Sequence, residues 1–389
     1  MNTVSATYRC SECGRKYDIV PDRMLCLRCS REQSAREPLR GILEVIYEHA
    51  EGTKPEDLFP VSRKSIPQLP VGNTPLWRAE KLDSRSALYL KDDTGNLTGS
   101  FKDRASLLVA AFAMEHGIGE IVLASTGNAA SSMAGIAAAC GLRSTVFMPA
   151  SAPQAKMVQV LQYGAKLITV DGNYDKAFEL SLEYAREHGL LSRNTAYNPL
   201  TIEGKKSVST ELFRQLGHVP DYIFIPVGDG VILSGVYKGF RDLMKLGLAQ
   251  KMPQVVAVQA AGSAAVHDAL KEGRYRMRSA HTLADSIAVD VPRCGYYALK
   301  QLREYGGRTV TVSDDEILRA QKTLSERAGL FAEPAASASY AGYRKIKKEV
   351  PETAETVLLI TGNGLKDVPA ASRMLTFPAR AIRELEEIE

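Results

Sequence analysis

Long apolar runs are missing from this chain of 389 residues, as are a dominant charge sign and all but one tryptophan. A bilayer-spanning helix needs about 20 consecutive apolar residues, so a membrane span is excluded as a reading of the sequence. Met1 to Arg9 lacks the apolar centre of an export signal, and a cytoplasmic protein is expected. The 49 basic residues nearly balance the 45 acidic ones, leaving +4 spread along the chain. No dense Lys/Arg stripe marks a nucleic-acid partner. The most basic stretch, Arg344-Lys345-Ile346-Lys347-Lys348, reads as the solvated face of a helix. Repeats of solenoid length and low-complexity tracts are absent too. With 45% hydrophobic and 24% charged residues the composition is that of a globular protein. Its length predicts two or three packed units.

Cysteine is scarce but not scattered. Four of the six fall between residues 10 and 29, and Cys140 and Cys294 stand alone. Cys10-Ser-Glu-Cys13 and Cys26-Leu-Arg-Cys29 form two knuckles that turn paired thiolates toward one ion. Gly14 after the first pair supplies a permissive turn. Such a short segment has little core, so a metal would supply much of its folding energy. A structural zinc ribbon over residues 1–35 is expected, with iron the alternative metal. The remaining residues, 36–389, form a separate region.

That region begins with a polar stretch in which one amphipathic helix is expected, around Leu39 to Ala50. From Leu88 the chain alternates strands with helices. Leu88–Lys91, Ile121–Ala124, Ser144–Met148 and Lys166–Val170 read as strands. Helical patterns follow them over Asp103–His116, Ala129–Cys140, Gln154–Tyr163 and Tyr174–His188. A second series has strands at Tyr222–Pro226, Gln254–Val258 and Thr356–Ile360. Alternation of this kind predicts an α/β fold of two lobes, each a parallel sheet flanked by helices. The smaller lobe is placed at roughly 105–205. Ligands of such folds sit at the carboxyl ends of the strands.

Four motifs fall at those ends. Thr98-Gly-Ser-Phe-Lys102 opens a helix, where the dipole and desolvation lower a lysine's affinity for its proton and suit it to a Schiff base. Ser125-Thr126-Gly127-Asn128 offers hydroxyls and N–H groups at a helix start, an anion site fit for a carboxylate. Gly228-Asp229-Gly230 can close N–H groups around a phosphate, although Asp229 would repel one. Thr361-Gly-Asn363-Gly364 presents a hydroxyl able to hydrogen-bond a pyridine nitrogen. Each alone is equally a cap or a turn.

In this order, together with Gly72-Asn-Thr74-Pro75-Leu76 and Glu333-Pro334-Ala-Ala-Ser-Ala-Ser339, the motifs resemble the fold-type II pyridoxal phosphate (PLP) enzymes, and among them threonine synthase. The likeness runs from Val71 to Pro369 and includes Gly172-Asn-Tyr-Asp175, Asn198-Pro199, Ile202-Glu-Gly204 and Gln259-Ala-Ala-Gly262. It implies that Lys102 carries the cofactor, Asn128 meets its ring hydroxyl and Thr361 its ring nitrogen. It places Gly228, Asp229, Gly230, Val231 and Ile232 at the cofactor phosphate, and Ser125 and Thr126, beside Gly127, at the substrate carboxylate. The implied reaction is conversion of O-phosphohomoserine and water to threonine and phosphate by a cytoplasmic homodimer.

The sequence departs from that pattern in its specificity elements. Threonine stands at 201, where the family has a phosphate-clamping arginine, and Ile232 replaces an asparagine. Neither side chain can supply the planar fork of a guanidinium. The segment Asp285-Ser-Ile-Ala-Val-Asp290-Val-Pro-Arg293 is unusual as well, and Arg293 is either a replacement anion clamp or the partner of an acid. An altered substrate pocket is expected. The alternative chemistry is β-elimination or β-replacement on another amino acid, as in serine/threonine ammonia-lyases and cysteate or cysteine synthases.

Overall fold

The computed structural model describes residues 5–383 except 35, 49, 51, 85, 86, 379 and 380. Strand β1 (Ser5–Cys10) delivers the first cysteine and pairs antiparallel with β2 (Lys16–Tyr17) and β3 (Leu43–Glu48). Where a helix is expected around Leu39 to Ala50, the chain forms the strand β3 over Leu43–Glu48 instead. Leu43-Glu-Val-Ile-Tyr-Glu has the aliphatic and aromatic content that suits a pleated surface, and pairing with β1 along its length decides the matter. Leu43, Val45 and Tyr47 turn into one small core with Cys10 and Cys26. The ribbon's sheet therefore draws its third strand from beyond residue 35.

Strands β4 (Leu76–Arg78) and β5 (Ala87–Asp92) open the larger sheet. The chain then leaves through α1 (Lys102–Glu115) for the small lobe. There β6 (Glu120–Ala124), β7 (Arg143–Pro149), β8 (Lys166–Val170) and β9 (Leu191–Ser192) alternate with α2 (Asn128–Ala139), α3 (Gln154–Gln162) and α4 (Tyr174–Glu187). Their order is β8-β7-β6-β9, all parallel. Helices α5 (Leu200–Lys205) and α6 (Ser207–Leu216) return the chain to the large lobe. It continues as β10 (Tyr222–Pro226), α7 (Val231–Lys245), β11 (Gln254–Ala260), α8 (Ala265–Glu272) and α9 (Gly295–Glu304). β12 (Arg308–Val312), α10 (Asp314–Ala328), α11 (Pro334–Ile346) and β13 (Glu355–Ile360) complete it. The large sheet runs β12-β11-β10-β13-β5-β4, with only β4 antiparallel. The alternation read from sequence is the architecture found; β4, β9 and β12, short or polar, were not foreseen.

Two glycines bring the site's elements together. A Cβ at Gly204 of α5 would lie 2.4 Å from the carbonyl oxygen of Arg104, and one at Gly235 of α7 would lie 2.6 Å from Cβ of Lys205. Only glycine allows α1, α5 and α7 to approach so closely, and this brings Lys102, Lys205 and the start of α7 into one neighbourhood.

Arg104, two residues after Lys102, is fully buried between Asp93 (2.6 Å) and Glu211 (2.6 Å), with Lys91 also on Glu211 (2.8 Å). Burial pushes the Glu211 carboxyl up, but Arg104 and Lys91 outweigh it and hold it well below the usual carboxylate range. Arg104→Leu is expected to cost about 3–5 kcal/mol, because it strands the buried Asp93 without its cation and leaves Glu211 with Lys91 alone. Urea unfolding measures this, and a loss below about 1 kcal/mol would contradict the role. The stabilisation from Glu211 is present above its unfolded pKa, about 4.3, and is lost only as pH falls through its lower folded value.

The basic run at the end of α11 is a solvated face. Arg344 and Lys345 are exposed, Lys345 pairs with Glu316 at 3.1 Å and Lys347 with Asp83 at 2.6 Å. Among the described residues no helix is long and apolar enough to cross a membrane.

Candidate active site

Three loops, after β5, after β13 and between α10 and α11, are knitted by main-chain hydrogen bonds. Phe101 N–H donates to Thr361 O (2.9 Å), Asn363 N–H to Gly99 O (3.0 Å) and Glu333 N–H to Gly362 O (2.9 Å). The start of α1, the end of β13 and the start of α11 are thereby locked in register. Across from them the small lobe presents the start of α2. Between lies a cavity of about 300 Å³.

Lys102, Asn128 and Thr361 line this cavity together, and so do Ser125, Thr126 and Gly127. Gly228, Asp229, Gly230, Ile232 and Arg293 complete the expected set in its wall. Val231 alone is outside: its side chain packs with Leu39, Ile202 and Cys294. An adjoining cavity of about 500 Å³ shares Thr126, Gly127, Asn128 and Glu333 with the first. Lys156 of α3 pairs with Asp285 beside it (2.6 Å), joining the two lobes.

Burial lowers the affinity of Lys102 for its proton; Asp229 and Glu333 oppose this, and Arg193 adds to it. The net direction is down, as a nucleophilic lysine requires. Asn128 donates through Nδ2 to both oxygens of Glu333 (2.9 Å each). Burial raises the Glu333 carboxyl, with Asn128, Lys366 and Lys102 only partly compensating. A Cβ on Gly362 would lie 2.5 Å from Glu333, so that glycine is needed to admit the carboxylate.

Asp229 caps α7. Its carboxylate accepts from Val231 N–H (3.0 Å) and from the Thr195 hydroxyl (2.7 Å). Burial would raise it, but Lys205, Lys102 and those two donors hold it below the usual carboxylate range. Arg293 pairs with Asp175, and its guanidinium lies 5.0 Å from the centre of the Phe178 ring. It is the partner of an acid on the cavity wall. Thr201 is buried, donates to Asn198 O (2.8 Å) and stays out of the wall, while Ile232 adds an apolar surface to it.

Sequence reasoning missed Arg193 and Lys205. Arg193, directly after β9, is 1% exposed and reaches the cavity with its Nη2 unpartnered. Burial first, against Asp229, lowers its pKa to about 10. Lys205-Lys206 looks like surface charge in the sequence, yet both lysines are 1% exposed. Gly204 immediately before them was the available signal, since a helical glycine often marks a close approach.

In the ribbon, the sulfurs of Cys10, Cys13, Cys26 and Cys29 all lie within 4.8 Å of one another. Cys13 and Cys26 are 3.7 Å apart and Cys10 and Cys29 3.9 Å. Zinc–sulfur bonds of about 2.3 Å put tetrahedral ligands roughly 3.8 Å apart, so the cage fits that ion. Tyr17 OH at 3.1 Å from Cys26 and Cys13 N–H at 3.5 Å from Cys10 supply the outer contacts that thiolate ligands take.

These features define a class. Residues 67–362 match the pyridoxal-phosphate dependent enzyme family, and the chain belongs to it. Within that family it is threonine synthase-like. It is 32% identical to the threonine synthase of Methanocaldococcus jannaschii over 96% of each chain, and 34% identical to that of Methanosarcina acetivorans over 92% of each. Among solved structures, processed threonine deaminase isoform 2 from Solanum lycopersicum superposes with a TM-score of 0.63 at 26% identity, covering 75% of this chain and 79% of that one. The cavity fits PLP on its own terms. It holds a lysine of lowered proton affinity, an amide and a hydroxyl in its lining, and an orphaned guanidinium nitrogen that an anionic group would satisfy.

Proposed function

We propose that the protein is a carbon–oxygen lyase that converts O-phosphohomoserine and water to threonine and phosphate, with PLP held by Lys102. One observation supports it above the others: the lysine opening α1, the amide opening α2 and the hydroxyl ending β13 face one cavity. When bound, PLP supplies an electron sink for charge developing on substrate carbons. The protein's part is to position groups and move protons. Lys102 takes up and returns protons at substrate carbons, a role suited to an amine with lowered proton affinity. Asn128, steadied by Glu333, would meet the ring hydroxyl and Thr361 the ring nitrogen. Ser125, Thr126 and Gly127 hold the substrate carboxylate at the start of α2, where the Ser125 hydroxyl already accepts from Gly127 N–H (3.2 Å). Zinc in the four-cysteine cage is structural, because four thiolates leave no open position. A cytoplasmic homodimer completes the proposal, on the family likeness alone.

A second reading has specific support. Thr201 and Ile232 remove two phosphate contacts, and the threonine deaminase fold match points to β-elimination on serine or threonine. Offering the holoenzyme O-phosphohomoserine, serine and threonine separates the two. Phosphate release from the first is expected. Ammonia and oxo-acid release from the others, without phosphate release, would replace the proposal by the second reading.

A further inference from the structure

Adjacent buried lysines meet opposite fates where α5 crosses α7. Lys206 has its counter-charges: Asp242 at 2.9 Å and Glu203. Asp242 also takes Lys238 at 2.5 Å. Lys205 makes no hydrogen bond or ion pair among the described residues. Burial, reinforced by Lys102 and Arg193, pushes it well below the usual lysine range, and Asp229 opposes this. Arg193 is in a similar state. Its Nε donates to Ser106 (3.2 Å), but its Nη2 is buried without a partner and the side chain opens on the cavity.

The carboxylates near these two cations are already engaged. Asp229 is committed to Val231 N–H and the Thr195 hydroxyl, and Asp103, the next acid near Arg193, is held by Thr98 through N–H (2.7 Å) and hydroxyl (2.6 Å). Buried cations persist when a counter-charge arrives, and elsewhere in this fold the protein supplies that charge itself. Here it supplies too little. What is missing is a compact anion with several acceptor oxygens, beside the glycine turn that opens α7.

We propose that Arg193, which opens on the cavity, backed by the charge of Lys205 buried on α5 outside the cavity lining, forms a buried phosphate-ester site, doing the work that Thr201 and Ile232 cannot. The assignment rests on the reading of the cavity as a PLP site. The phosphate has two sources, the cofactor or a phosphorylated substrate. The guanidinium gives a planar fork and the ammonium a point charge, a pairing suited to either.

The test uses the PLP-loaded protein with Arg193→Met and Lys205→Met, and with Arg193→Lys and Lys205→Arg as conservative partners. PLP affinity is read from the bound cofactor's visible absorbance, with pyridoxal lacking the phosphate as control. Binding of O-phosphohomoserine and of inorganic phosphate is read from the spectral change and from thermal stabilisation. Losing a charged contact is expected to weaken phosphate binding about 10- to 100-fold. A loss confined to PLP, with pyridoxal unchanged, assigns the site to the cofactor. A loss confined to O-phosphohomoserine or inorganic phosphate assigns it to the substrate. The conservative variants recover part of either.

A purely structural role would lower unliganded thermal stability and leave affinities unmoved. Ligand affinities within about twofold of the parent in both methionine variants overturn the proposal. An unsubstituted protein that never acquires the absorbance defeats the PLP reading instead, and inorganic phosphate binding still reports on Arg193 and Lys205.

Discussion

Lys102→Ala is expected to abolish the visible absorbance of bound PLP and to reduce kcat by on the order of 10³ or more. The lysine sits at the first position of α1, where alanine is a good helix former, and its ammonium has no direct salt-bridge partner among the described residues. Removing a desolvated cation leaves no carboxylate stranded in a pair, so the fold should survive. Thermal unfolding of the variant within a few degrees of the parent, with absorbance lost, separates chemistry from folding. Small primary amines added to the variant are expected to restore a fraction of turnover, because they replace the missing nitrogen. Full colour and turnover in the alanine variant would place the covalent attachment elsewhere and end the account of this cavity.

Stripping metal from the ribbon is expected to produce the largest loss of stability. The ribbon's core is small: Tyr8, Cys10, Cys26, Leu43, Val45, Tyr47, Ala50 and Leu58. Two of those eight are cysteines of the four-sulfur cluster, so the apolar residues alone bury little. Structural zinc contributes about 10–16 kcal/mol of apparent binding energy at pH 7 in comparable cages. A strong chelator, or Cys26→Ser, should therefore create a separate low-temperature unfolding transition.

The effect should not stop at the ribbon. Glu44 on β3 holds Arg241 of α7 and accepts from Tyr297 of α9 (2.6 Å), and Tyr47 donates to Glu203 of α5 (2.5 Å). Leu39 N–H donates to the carbonyl of Arg293 (2.9 Å), and Lys300 reaches Ser11 O (2.6 Å). Hydrogen exchange over 285–298, the segment beside the cavity, should accelerate when the ribbon loosens. Elemental analysis giving one zinc per chain would support the cage. Metal-free protein with unchanged unfolding would remove the metal from the description.

Lys102 and Thr361 were legible because strand-end position and local motif coincide in the chain. The four cysteines were legible for the same reason, their spacing being itself the geometry of a knuckle. The segment around Leu39 to Ala50 misled because a short amphipathic stretch fits either period, and pairing with β1, about 40 residues earlier, settled Leu43–Glu48 as a strand. Asp229 was undecidable in sequence, since capping and repulsion depend on whether cations stand nearby. Lys205 brings one, and its approach is set by glycines on two different helices.

Local order in the chain thus determined what alternation and spacing can encode: two parallel α/β lobes, a four-thiolate cage, and a lysine, an amide and a hydroxyl at strand ends. Tertiary structure alone decided the charge balance around them. Arg293 found Asp175, Lys206 found Asp242, and Arg193 was left with a buried nitrogen short of a partner. The reason is physical: helix and strand periods act over a few residues, whereas desolvation and ion pairing depend on neighbours that only the folded packing brings within reach.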